Sequence, residues 1–160
     1  MQLLTDIALE RTTTGRLYIL NVDHANSHGA FLEQIVMSNL CLEINLITKP
    51  IQHINDSQGE IALCILSAIN VGICNTEKDI EEACELAVRG LDSVIDEQEY
   101  VCPAAEIPAT KRRPLGIGIT NLAYYLAKQK RKYSDKESIK IVHDLQEMIQ
   151  FYLLKASCKL

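Results

Sequence analysis

Residues 61–69 read IALCILSAI, an apolar run broken only by Ser67. The whole stretch 60–70 suits a strand buried on both faces, the pattern of a parallel sheet. It is far too short for a membrane helix, which needs roughly 20 apolar residues. Immediately after it, Ile80, Ala83, Cys84, Ala87, Val88, Leu91, Val94 and Ile95 recur at helical spacing and form one stripe. Asn75 or Thr76 can cap that helix, and Asp79 stands three residues after Thr76, as a capping box requires. A buried strand feeding an amphipathic helix implies an α/β layer arrangement.

Leu3, Leu4, Ile7 and Ala8 predict a short helix that opens in mid-pattern and is stopped at 12–15 by Thr-Thr-Thr-Gly. Residues 16–22 predict a strand, and the polar run 23–29 a loop. Residues 39–46 alternate strictly: Leu40, Leu42, Ile44 and Leu46 on one side, Asn39, Cys41, Glu43 and Asn45 on the other. Alternation of this kind predicts a strand, with same-side groups about 6.5–7 Å apart. Pro103 and Pro108 mark a connecting loop. Gly116 and Gly118 lead into a helix around 121–130. Ser134 with Glu137 suggests a second capping box, opening a helix through Leu154 with the stripe Ile141, Val142, Leu145, Met148, Ile149 and Tyr152.

Composition narrows the function classes. The chain has 160 residues, the size of one domain, and a formal charge of −5, which argues against a phosphate-neutralising nucleic-acid surface. With 48% hydrophobic residues and a mean hydropathy of +0.02, a core can form. There is no basic segment leading into an apolar one at the start, so a cytoplasmic location is expected. The six cysteines (41, 64, 74, 84, 102 and 158) show no CxxC pair and no zinc spacing, so most are expected reduced. His24 and His28 have i, i+4 spacing but lack a third ligand, and no metal site is assigned. Lys111-Arg112-Arg113 before Gly116-x-Gly118 is a weak phosphate-binding signal, and a surface loop with close helix packing is the simpler reading.

The chemistry-bearing pattern is Ser38-Asn39-Leu40-Cys41-Leu42-Glu43-Ile44. An amide, a thiol and a carboxylate on one face of a strand could form a substrate platform, or simply a solvated edge. Cys64 sits within the apolar run, 23 positions on, where an inert core cysteine is the ordinary case.

The stretch SNLCLEINLITKPIQHINDSQGEIALCILSAINVG resembles the active-site region of class I ribonucleotide reductase large subunits. TTTGRLYILNVDHANSH upstream, and RRPLGIGITNLAYYLAK, YSD and FYLLKAS downstream, extend the resemblance over nearly the whole chain. It implies a single segment, 1–160, of a ten-stranded α/β barrel with flanking amphipathic helices and a finger loop at 36–46. An N-terminal effector domain and a C-terminal redox tail are not expected within it. Implied too are roles: Cys41 as the thiyl-radical cysteine that abstracts the 3′-hydrogen, Glu43 as the base for the 3′-hydroxyl, Asn39 as a catalytic amide on the ribose, and Asn39, Glu43 and Ser38 as substrate-binding groups. Cys64 would be one of two cysteines that become a disulfide, its partner lying outside this chain.

The resemblance implies no cofactor bound by the segment itself. A radical-generating small subunit, the remaining parts of the large subunit, a thioredoxin- or glutaredoxin-type donor and a ribonucleoside diphosphate would complete the system, with no nucleic acid and no membrane involved. Tyr124-Tyr125 does not match the family's radical-relay tyrosines, and Cys158 does not match its paired tail cysteines. The alternative is a catalytically silent piece that at most associates with reductase subunits. The isolated chain is expected to be inactive and poorly soluble.

Overall fold

The computed structural model describes residues 2–29 and 31–160. It divides into two compact units, Met1–Ala62 with Val101–Pro108, and Leu63–Tyr100 with Ala109–Leu160. Mixed helix and strand bear out the α/β reading.

In the first unit, α1 covers Gln2–Thr14, as the apolar spacing predicts, and none of its residues is buried. Residues 16–21 form no strand, because no ladder partner meets them among the described residues. The expected loop after them is α2, Val22–Ser27. Its Asn26 explains the difference: the amide donates to the Ile35 carbonyl and accepts from the Ile35 N–H, both at 2.8 Å. A distant backbone thus fixes a segment whose composition reads as a turn.

The strand expected at 39–46 is also absent. Residues 40–42 turn, and Leu42 takes φ 64°. Side chains at 38 and 39 bind the backbone of Ile44, offering it an alternative to a sheet ladder. The later part of the unit is tied by an antiparallel bridge between Lys49 and Glu60. Between them Asp56 accepts from the N–H groups of Gln52 and Gln58, bonds that hold its carboxyl below the usual carboxylate range.

The second unit carries the sheet. β1 (Ile65–Asn70) pairs in parallel with β2 (Leu115–Thr120), Ile65 opposite Leu115 and Asn70 opposite Thr120. The expected parallel pairing is present, but β1 is shorter than the apolar run and is not buried on both faces. Alternate residues remain open, Leu66 being 60% exposed. β2 replaces the expected glycine-rich lead-in. A Cβ at Gly116 would collide with the side chains of Leu66 and Cys64, so the glycine permits close strand approach.

α3 (Glu77–Glu97) begins with the predicted box: the Thr76 side chain accepts from the Asp79 N–H, and Asp79 accepts from the Thr76 N–H. Its stripe buries Ile80, Cys84, Val88, Leu91 and Ile95, whereas Val94 is exposed. The N-cap of α6 (Lys136–Ser157) is Asp135, not Ser134, and it makes no side-chain cap bond. Asp135 instead accepts from the Lys132 N–H, and the Ser138 hydroxyl donates to the Lys132 carbonyl, so the box with Glu137 does not form. Ile69, Val71, Cys74, Ile80, Cys84, Leu145 and Ile149 make the core of this unit. Around it Tyr152, Lys155 and Lys159 bind Glu77, Glu81 and Glu85 in the same sequence order.

The two prolines do not mark a loop. They lie in α4, Pro103–Arg112. Pro103 opens the helix, where a missing N–H costs nothing. Pro108 cannot donate to Ala104, and the carbonyl it leaves free accepts from the Ile61 N–H at 2.8 Å. The short α5, Leu122–Lys128, follows β2 through Asn121 at φ 67°.

Candidate functional site

Ser38, Asn39, Cys41 and Glu43 occupy one closed loop of the first unit. The Leu42 N–H donates to the Asn39 carbonyl at 3.1 Å, making a tight turn. Leu42 then lies in the left-handed region, which costs a residue with a Cβ about 1–2 kcal/mol. The loop closes on Ile44, whose N–H donates to Asn39 Oδ1 at 2.9 Å. The Ile44 carbonyl accepts from the Ser38 hydroxyl at 2.7 Å, and that hydroxyl makes a longer contact of 3.2 Å with Asn39 Oδ1.

This geometry corrects the two-faced picture. Leu40 is 77% exposed instead of anchoring a core, while Cys41 and Glu43 stand exposed on the same tip. The amide of Asn39 has its oxygen fixed on the loop, so its Nδ2 is the end left to donate. Ser38 is half-buried at the loop base.

The base borders a cavity of about 560 Å³, to which Ser38, Asn39, Ile44, Leu46, Lys49 and Glu60 contribute. Most of its wall is apolar, with charge confined to one pair. Lys49 Nζ lies 2.8 Å from Glu60 and 3.6 Å from Glu33, and the Glu60 hydrogen bond raises its pKa above the ordinary lysine value. A mostly apolar hollow with few convergent polar groups is the usual form of a small-molecule site.

Cys64 belongs to the second unit. It is half-buried just before β1, its sulfur facing the space that Gly116 leaves open. Cys74 and Cys84 are core thiols, and burial pushes Cys84 up to about 11. Cys158 is exposed at the end of α6.

The weaker sequence signals resolve simply. Gly116 and Gly118 are strand residues, and Arg113 is committed to carboxylates: Nε to Asp92 at 2.5 Å, Nη1 and Nη2 to Asp96 at 2.7 and 2.8 Å. His24 on α2 and His28 just after it meet edge to face, and the His28 Nδ1 already meets the Ser27 hydroxyl and the His24 carbonyl. A polar group at the C-terminal ends of the strands belongs to no motif in the sequence. Asn70 Oδ1 accepts from the Gly72 N–H and from Asn121 Nδ2, and Lys128 donates to Asn75. Its one signal in sequence is an asparagine at the end of each apolar strand, Asn70 as the last residue of β1 and Asn121 just after β2.

The family model described as "Ribonucleotide reductase, barrel domain" matches residues 1–160. The ribonucleoside-diphosphate reductase subunit alpha of Buchnera aphidicola subsp. Schizaphis graminum is 53% identical over 157 residues, covering 96% of this chain and 21% of the relative. The Escherichia coli ribonucleoside-diphosphate reductase 1 subunit alpha is 50% identical over 94% of this chain and 20% of its own length. The enterobacteria phage T4 subunit alpha is 40% identical, again over 94% and 20%. The chain therefore spans about a fifth of the length of the curated relatives it matches. With the family model matched from end to end, the chain belongs to the ribonucleotide reductase barrel-domain family.

Proposed function

We propose that this chain is a segment of the catalytic barrel of a ribonucleoside-diphosphate reductase large subunit, with residues 36–46 as its finger loop. The observation that carries the reading is the placement of Asn39, Cys41 and Glu43 on one closed loop beside an apolar cavity, in a chain matched throughout by the family model. The ten-stranded barrel is completed by the remaining parts of the large subunit.

Cys41, as a thiyl radical, takes the 3′-hydrogen of a ribonucleoside diphosphate. Sulfur suits the task because it forms a radical stable enough to regenerate yet able to take a C–H hydrogen reversibly. Glu43 takes the 3′-hydroxyl proton as the 2′-hydroxyl leaves as water, lowering the barrier as charge develops. Asn39 donates through Nδ2 to the ribose, with Ser38 on the substrate side of the loop base. Cys64 and a partner cysteine outside this chain provide two electrons and become a disulfide. A small subunit generates the radical, and a thioredoxin- or glutaredoxin-type protein restores the dithiol. The segment itself binds no cofactor, and the assembly works in the cytoplasm.

The test is reconstitution. Assembled with the rest of the large subunit and a radical-generating small subunit, the segment is expected to reduce a ribonucleoside diphosphate. Cys41→Ser should abolish turnover, and Glu43→Gln should lower it by about 10²–10⁴-fold, as loss of a positioned base does. Retained turnover in Cys41→Ser would sink the proposal.

A further inference from the structure

We infer that Ser38 is a positioning residue for the Cys41 thiol, acting through the loop backbone and not as a ligand of the substrate. The inference rests on the reading of Cys41 as the radical thiol.

A serine hydroxyl carries one hydrogen. Here it points to the Ile44 carbonyl at 2.7 Å, its closest partner. The other backbone group of Ile44, its N–H, is taken by Asn39 at 2.9 Å. Both polar groups of one residue are thus tied to the two side chains that open the loop. Everything between them, including Cys41 and Glu43, is a closed excursion whose base is set by these two bonds.

The tip adds one backbone bond of its own, from the Leu42 N–H to the Asn39 carbonyl. Cys41 and Glu43 are exposed, and Leu42 between them holds a left-handed backbone that relaxes if the base opens. Asn39 cannot substitute for Ser38, because its oxygen already accepts from the Ile44 N–H and its nitrogen lies at the other end of the amide. Removing the Ser38 hydroxyl leaves the Ile44 carbonyl without this partner and the base with one bond instead of two.

Hydrogen-atom transfer to sulfur depends steeply on reach, so a loosened tip slows that step more than it weakens binding. The experiment uses the complete large subunit carrying this segment, with its small subunit, and substrate bearing hydrogen or deuterium at C3′. In Ser38→Ala, kcat should fall about 10- to 100-fold. KM should change by less than about twofold, the signature of an interaction that acts in the transition state. The deuterium effect on kcat should rise, because C–H cleavage becomes more rate-limiting. Ser38→Thr keeps the hydroxyl and should restore kcat to within about threefold, with the isotope effect of the parent enzyme.

Three results would overturn the inference. One is a raised KM with kcat kept, which makes Ser38 a substrate ligand. The second is a lowered kcat with an unchanged isotope effect, which means only that less enzyme is folded. The third is Ser38→Thr as impaired as Ser38→Ala. If Ser38→Ala does not assemble, Ser38→Cys takes its place, since a thiol fills the site but donates weakly, and the same pattern should appear at smaller size. Cys41→Ser in the same enzyme separates the two levels. If it turns over, the functional reading fails. If it is dead while Ser38→Ala matches the parent, only the positioning role fails.

Discussion

Cys64 and Gly116 illustrate how much a single missing carbon decides. A Cβ at 116 meets Cys64 Sγ and the Leu66 side chain, whereas one at Gly118, two residues along the same strand, meets nothing within 4 Å. Gly116→Ala in the complete subunit should therefore destabilise by about 1–3 kcal/mol, the range for overpacking. Gly118→Ala should cost less than Gly116→Ala, because no atom of this segment lies within 4 Å of the added Cβ. Denaturant midpoints of the pair check this, and equal effects would refute the steric argument. The buried thiols make a second comparison. Burial holds Cys84 up to about 11 and raises Cys74 as well, so little of either is thiolate near neutrality. Both should resist alkylation in the native subunit and react only when denaturant exposes them, as peptide mass spectrometry would show. Fast native labelling of Cys84 would contradict its placement.

At the level of elements, the cap that starts α3 is built from local bonds between Asn75, Thr76 and Asp79. Thr76→Ala should cost about 1 kcal/mol, as loss of a threonine cap generally does. The Asp79 carboxyl is held below its ordinary 3.8 by the N–H groups of Asn75 and Thr76. A depressed carboxylate contributes stability that is fully present above the unfolded value and is lost as pH falls through the folded one. Asp79→Asn should therefore flatten the acid limb of the thermal midpoint profile below 3.8, and an unchanged limb would discount the cap. This helix was legible because cap, box and stripe all lie within twenty-odd consecutive residues. Three of the elements that sequence misread share a cause: a backbone or side-chain group satisfied by a partner that the local pattern does not show. Pro108 is tolerated in α4 because Ile61 takes the Ala104 carbonyl. Asn26 is helical because Ile35 occupies its amide. Alternation at 39–46 failed because Ser38 and Asn39 bind Ile44. The site followed the same division. Its residue types were evident from the motif, but the turn that carries them was not.

For the whole molecule, the exposed apolar surface is the governing feature. Leu66, Ile73 and Leu86 are among the exposed large side chains of the second unit, and Leu3, Leu4 and Leu40 among those of the first. β1 and β2 pair only with each other among the described residues, which leaves the outer edge of each open. Open edges and apolar patches favour association, so the chain expressed by itself should aggregate. Supplying the flanking parts of the large subunit should suppress this in light scattering, and a monomeric, sharply melting isolated chain would argue against it. The parallel register also sets a timetable during synthesis. Ile65 and its partner Leu115 stand fifty positions apart. At about 5–20 residues per second, β1 leaves the ribosome roughly 3–10 s before its partner does. A nascent chain arrested between the two strands should therefore recruit chaperones more strongly than one arrested after Thr120.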